Sequence, residues 1–242
     1  MFHFLFYIPM YNALVYILSV IPSGNIAVAV IILTVIVKII LLPLSKKMFL
    51  SQVAQKRIQP QLRKIQEEYK DNKQVLGLKM MELYKQNNLN PFSSILLLFI
   101  QIPIVFALYF VFSRGGLPVI NGADLYGFVS HTPIVNQYLF GVDFIKASVV
   151  IGFFAGLFQY IQIRLSLLHM NEVKNVPGQS LKPEEMIQKQ MSFMMKWFIP
   201  VLIFIASLQV AASVALYWIV SSLFMISQEL YFRRKYKAEL LK

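Results

Sequence analysis

Runs of about twenty mostly apolar residues recur along this chain, and segments of that length and character fix the solvent the chain folds in before they fix anything else. An α-helix rises about 1.5 Å per residue, so roughly twenty residues match a hydrocarbon layer of about 30 Å. Such runs lie at about 25–44, 92–112 and 147–168. A longer one over about 193–230 divides into 193–208 and 211–230 at the polar residues Ser207, Gln209 and Ser213. Of the 242 residues, 57% are hydrophobic and 14% charged, against roughly 45–50% and 25% in soluble domains. One soluble core cannot hide that excess, so the expected fold is all-α: an integral membrane protein built as a five-transmembrane-helix bundle.

Residues 1–22 carry no Lys, Arg, Asp or Glu, are interrupted by Pro9, and end at Pro22, Ser23 and Gly24. They lack the positive start and small-residue cleavage site of a secretory signal. The aromatics Phe2, Phe4, Phe6, Tyr7, Tyr11 and Tyr16 suit a helix lying at the headgroup level on the outer side. That interfacial amphipathic helix is preferred to an additional span, and 23–242 is read as the core domain.

Residues 45–90 differ sharply: ten Lys and Arg stand against four Asp and Glu, a net charge of +6. Apolar residues recur at Ile58, Leu62, Ile65 and Tyr69 and again at Leu76, Met80 and Leu83, at helical spacings of three and four. Asp71 and Asn72 fall between the two stripes as a turn. The segment therefore predicts a water-exposed helical hairpin, with Pro60 breaking or kinking its first arm. Asn90 and Pro91 form a cap-and-proline start for the next helix, and Pro103 inside it is tolerated in a bundle as a kink.

Residues 113–146 are neutral and loop-like, whereas the connection 169–192 holds Lys174, Lys182 and Lys189 and the tail 231–242 is basic. Positive residues mark cytoplasmic loops. The hairpin, the 169–192 loop and the C-terminus are thus expected in the cytoplasm and the N-terminus outside, which requires an odd number of spans. This asymmetry uses up most of the net charge of +12, so DNA is not needed as a partner to explain it.

Cysteine is absent, which excludes disulfides, thiol catalysis and Cys-ligated metals. His3, His131 and His169 fall in separate segments and are not read as a metal site. No nucleotide-binding loop, metalloprotease motif or nucleophile elbow appears, so no cofactor is expected and the chain is not expected to be an enzyme. The predicted spans are read as free of acidic residues, which counts against ion-coupled transport through buried carboxylates.

Lys38 is read as the one clear intramembrane charge. Either it snorkels, since Ser45 is only seven residues away, or it faces a wet cavity. Polar residues in the other spans favour the cavity: Gln101, Gln159, Gln162, Ser221, Ser222 and Gln228. Each could instead hydrogen-bond between helices. With no carboxylate to pair with, Lys38 is expected to be solvated by groove water. Tyr217 and Trp218 are groove-lining residues or ordinary span aromatics; composition alone favours the second.

TVIVKIILLPLSKK at 34–47, MMELYKQNNLNPF at 80–92, LLLFIQIPIVFALYF at 96–110 and ASVALYWIVSSLFMISQ at 212–228 resemble the YidC family of membrane insertases, related to those of mitochondria and chloroplasts. The resemblance runs from about Tyr11 to Lys237. It implies a hydrophilic groove open to cytoplasm and lipid, closed outside, with Lys38 standing where the family usually has Arg. Lysine keeps the charge but lacks the planar five-donor fork. The resemblance also matches Gln162 to a groove glutamine and Trp218 to a fifth-span aromatic, with Gln101 as an addition. It implies a compact bacterial form in the inner (plasma) membrane, without a large external domain. The function it implies is guiding nascent membrane proteins from the cytoplasm into the lipid bilayer, alone or beside the Sec translocase, with the ribosome as a further partner. The alternatives are a small channel or transporter, and a non-catalytic assembly partner of a translocase.

Overall fold

The computed structural model describes residues 1–90, 93–113, 117–129, 133–167, 190 and 193–236. A π-helical turn, His3–Tyr7, runs into α1 (Ile8–Val20). It is followed by α2 (Ile26–Ile40), α3 (Leu42–Glu68), α4 (Lys73–Gln86), α5 (Ser93–Ser113) and α6 (Val149–Leu167). A second π-helical turn, Met194–Phe198, leads into α7 (Ile199–Ser207), and residues 208–211 separate it from α8 (Ala212–Lys235). A two-residue antiparallel pair, Tyr138–Leu139 with Val142–Asp143, is the only sheet among the described residues.

By length and composition, His3–Val20, Val149–Ser166 and Ala212–Lys235 can each cross a membrane. The pair α2 and α3, bent by 57°, makes a fourth if taken as one span, and Phe99–Ser113 and Met194–Ser207 are shorter apolar stretches. Phe153, Leu157 and Ile161 on α6 and Val201, Leu202 and Ile205 on α7 are exposed. In water such a continuous apolar face would associate or aggregate; in lipid it meets its own kind, while the helices satisfy their backbone groups internally. The fold is that of an all-α membrane protein.

The main core lies where α1, α2, α5 and α8 meet. Tyr11, Leu14, Val15 and Leu18 come from one face of α1, Ala27, Val30 and Leu33 from α2, Leu108 and Val111 from α5, and Val214 and Tyr217 from α8. Tyr7 and Tyr11 were expected among headgroups, yet both are interior, Tyr11 completely so. Pro9 does not interrupt its helix: it follows the π-helical turn His3–Tyr7, and α1 continues past it to Val20.

The segment between α5 and α6 covers one end of this core. The Asn12 side chain donates to the Asp124 carbonyl at 2.7 Å and accepts from the Tyr126 N–H at 2.6 Å. The Tyr11 hydroxyl accepts from the Asn121 N–H at 2.7 Å. Asn25 caps α2 by accepting from the Val28 N–H and donates to the Tyr138 carbonyl. Gly24, at φ +53°, has the Ile134 carbonyl oxygen only 1.6 Å from where a Cβ would stand, so the chain can pass there only as glycine. The N–H groups of Ala212 and Ser213 donate to the carbonyls of Lys146 and Phe144, satisfying donors that the start of α8 leaves open.

α3 and α4 form an antiparallel hairpin. Ile58, Leu62 and Leu83 are buried against Ile65, Met80, Tyr84 and Leu89, and the Asn72 side chain caps α4 at the Val75 N–H. The first arm is not broken at Pro60: α3 continues to Glu68. Pro60 is exposed, where the carbonyl one turn earlier, deprived of its donor, can be solvated. Phe49 and Val53 near the base of α3 pack on Phe232 of α8, and Lys46 lies 5.7 Å from the Tyr236 ring centroid. The Pro91 helix start, His131, His169, the 169–192 loop with its lysines, and the tail beyond residue 236 lie outside the described residues.

Candidate functional site

Lys38 sits in the last turn of α2, where a cation is favoured by the helix dipole. Thr34, one turn earlier on the same face, is buried and returns its hydroxyl to the Val30 carbonyl at 2.6 Å. That side of α2 points into the bundle, and Lys38 is only 6% exposed. The side chain therefore does not run outward along the helix as snorkelling would require. Its Nζ donates to Oε1 of Gln101 on α5 at 3.2 Å, and Nε2 of Gln101 donates to the Tyr217 hydroxyl on α8 at 2.7 Å. Ser221, one turn beyond Tyr217, is buried as well. Three helices thus deliver one chain of polar groups: ammonium, amide, phenol.

Within the protein the Lys38 ammonium has an amide oxygen as its partner. Lys38 has three donors and no acceptor, so an amide oxygen is a chemically sufficient partner that leaves donors over. A carboxylate was not required.

Gln159 and Gln162 do not join this set among the described hydrogen bonds. Gln159 Nε2 donates to Gln162 Oε1 at 2.8 Å, and the Ser222 hydroxyl donates to Gln159 Oε1 at 3.1 Å. Consecutive residues of a helix point about 100° apart, so Ser221 and Ser222 face different neighbours. α8 presents Tyr217 towards α2 and α5 and Ser222 towards α6. Trp218 is half-buried and packs on the edge of the main core. Gln228 keeps a buried Oε1 with no hydrogen-bond partner among the described residues.

The reading of the spans as free of acidic residues needs correction. Glu229 lies within the 211–230 stretch, and α8 runs on past it to Lys235. Its carboxylate accepts from Arg233 Nε at 3.2 Å, and Arg233 also donates to the Leu165 carbonyl on α6. The acid is thus neutralised within its own helix, one turn away. A cavity of about 230 Å³ lies elsewhere, lined by Tyr109, Ser113, Gln209 and Val214 among others, and contains neither Lys38 nor Gln101.

Thr34 and the pairing of Gln101 with Tyr217 were missed in the sequence. Thr34 was accessible in principle, since it stands four residues before Lys38 and so shares its face. No spacing announces a contact between residues 101 and 217.

The model of the family described as "60Kd inner membrane protein" matches residues 17–239. Proteins named "Membrane protein insertase YidC" from Francisella tularensis subspecies novicida, tularensis and holarctica are each 31% identical over 215 residues, 89% of this chain and 34% of theirs. The chain therefore spans about a third of the length of these relatives. With nearly the whole sequence matched, and Lys38, Gln101 and Tyr217 all inside the matched region, the chain belongs to the 60Kd inner membrane protein family, that of the YidC proteins.

Proposed function

We propose that the chain works as a membrane protein insertase that receives nascent membrane proteins from the cytoplasm and guides them into the bilayer. The observation that carries this reading is a lysine enclosed among three apolar helices, with one of its three ammonium donors hydrogen-bonded among the described residues. A polar segment crossing hydrocarbon leaves unpaired backbone groups that cost several kcal/mol each. A polar cell partway across shortens that dry path, and a fixed positive charge attracts acidic residues on the incoming segment. The relatives carry the name insertase, which supports the same reading. The five segments 25–44, 92–112, 147–168, 193–208 and 211–230 are the proposed spans. α6 and α7, apolar on their outer faces, offer the substrate's own span a path into lipid.

The proposed topology places the hairpin 45–90 and the C-terminus in the cytoplasm and the N-terminus outside. The hairpin, the 169–192 connection with Lys174, Lys182 and Lys189, and the tail carry this asymmetry, because Lys and Arg set the orientation while Asp and Glu count for little. α1 is read as lying across the outer end of the bundle. In support, Phe2 meets Phe110 near the end of α5, His3 meets Asp124, Asn12 is held by Asp124 and Tyr126, and Gly24 abuts Ile134. Both ends of the helix thus meet groups at the end of α5 or in the segment after it. A crossing helix of eighteen residues would separate its ends by about 27 Å. The hairpin receives the substrate or its carrier, while the basic tail touches ribosomal RNA or anionic lipid; insertion proceeds alone or beside the Sec translocase in a bacterial inner membrane.

The test is reconstitution into lipid vesicles with a single-span substrate bearing an acidic external tail, comparing wild type with Lys38→Ala and Lys38→Arg. Insertion by wild type and by Arg, with loss in Ala, is expected. Equal insertion by all three would remove Lys38 from the mechanism. No insertion above empty vesicles would favour an assembly partner, and Lys38-dependent solute flux would favour a channel.

A further inference from the structure

The Gln101 side chain is an amide whose two ends are chemically opposite: an oxygen that accepts and a nitrogen that donates. Turned by 180°, it would present N–H groups to the Lys38 ammonium and repel it. The ammonium, which only donates, selects the orientation with Oε1 facing Lys38 Nζ at 3.2 Å. The Tyr217 hydroxyl, accepting from Gln101 Nε2 at 2.7 Å, anchors the far end of the amide and so fixes where that oxygen stands. Tyr217 is itself only 1% exposed, enclosed by the main core of the bundle. Its ring is fixed by that packing, which makes its hydroxyl a stationary anchor for the amide.

We infer that Tyr217 is a positioning residue: through Gln101 it holds the Lys38 ammonium with spare donors available to a substrate carboxylate. This rests on the insertase reading for its consequence, but the positioning itself does not. One of the three ammonium donors is taken by Gln101. The remaining two can meet a carboxylate arriving in the bundle. Without the phenol, Gln101 Nε2 loses its acceptor, and the amide is held only at its Lys38 end. The charge survives, yet its place does not. The sequence treats Tyr217 and Trp218 as equivalent aromatics. The structure separates them, because only Tyr217 carries its hydroxyl to Gln101 while Trp218 stands half-buried at the edge of the core.

Two measurements test this, with Tyr217→Phe as the central variant because it keeps the buried ring and removes only the hydroxyl. The first is the rate at which an amine-acylating reagent modifies Lys38 in the vesicle-reconstituted protein, read by mass spectrometry. Tyr217→Phe and Gln101→Leu are each expected to raise that rate about threefold or more, and the double variant to raise it no further than Gln101→Leu alone. An unchanged rate in Tyr217→Phe, or additive effects in the double variant, would overturn the positioning role. This arm stands even if wild type inserts nothing, in which case the insertase reading fails and the positioning is still decided.

The second measurement is insertion of two single-span substrates that differ only in an acidic or a neutral external tail. Tyr217→Phe is expected to slow the acidic-tailed substrate about three- to tenfold, the range of one lost orienting hydrogen bond, and to leave the neutral one within about twofold. Equal slowing of both would show general damage to the bundle and sink the inference, as would no slowing of the acidic one while wild type is active.

Discussion

The covered end of the bundle and the cell around Lys38 both bury polar side chains, but they satisfy them differently. At the covered end, Asn12, Tyr11, Asn25 and Ser213 are hydrogen-bonded to backbone groups of the segment between α5 and α6. Around Lys38, the bonds run from side chain to side chain across three helices. A side chain spent on backbone groups closes a structure and has nothing left to offer. An ammonium held by one amide oxygen retains donors. The first arrangement is suited to closure and the second to exchange, and the proposed insertase reading calls for both.

Gly24→Ala should break the covered end most severely. Its methyl group would overlap the Ile134 carbonyl oxygen at a positive φ, and a loss of more than about 3 kcal/mol is expected. Thermal unfolding in detergent would show it as a strongly lowered midpoint or as no folded protein at all; an unchanged midpoint would mean the passage at Ile134 is not tight. Asn12→Ala comes next. It strands the Tyr126 N–H and the Asp124 carbonyl, at a cost of about 2 kcal/mol, and the lower midpoint should leave insertion per folded molecule unchanged. Loss of activity without loss of stability would contradict the division between the two regions.

Lys38→Ala should show the reverse pattern. Insertion of an acidic-tailed substrate should fall about tenfold or more, worth roughly 1.4 kcal/mol or above, while the thermal midpoint stays the same or rises, since an enclosed charge is removed. The smallest effect belongs to neither region. On the hairpin, the hydrogen bond from Lys79 to Glu82 at 2.9 Å raises the Lys79 pKa above its ordinary 10.5. A raised cationic pKa contributes stability below the ordinary value, and loses it as pH climbs through the raised one. The pair is solvent-exposed, so Lys79→Ala should leave the midpoint unaltered at neutral pH, and any difference should be confined to the alkaline side. A clear shift at pH 7 would mean that the hairpin is packed against something in the membrane-bound protein.

Much of the helical layout was legible from the sequence. The two hairpin arms follow from the stripes at Ile58, Leu62 and Ile65 and at Met80 and Leu83, and the turn from Asp71 and Asn72, the latter visible as the α4 cap. The break between Ser207 and Ala212 was marked by polar residues in an apolar run. Two prolines did not act as breaks. Of the two outcomes expected at Pro60, the break is absent because α3 continues past it to Glu68, and Pro9 lies within a helix that runs on to Val20. Tyr7 and Tyr11 were read as interfacial from residue type, whereas the segment after α5 folds over them.

The candidate site was legible in its parts but not in its connections. Lys38, Gln101, Gln159, Gln162, Tyr217 and Ser221 all stand out as polar or amphipathic residues in apolar runs. That Gln101 meets Lys38, while Gln159 meets Ser222 instead, depends on how each helix is rotated about its own axis. At about 100° per residue, a shift of one position exchanges one set of neighbours for another.

What the sequence determined by itself is the solvent: runs of apolar residues too long for a soluble core, a basic hairpin between two of them, and a family pattern along nearly the whole chain. Hydrophobicity and charge act through composition over tens of residues, so they can be read before any fold is known. What only the tertiary structure decided is the partner of each buried polar group. A hydrogen bond requires two atoms to come within about 3 Å in the right orientation, and residues 38, 101 and 217 reach that distance only when three separate helices have packed.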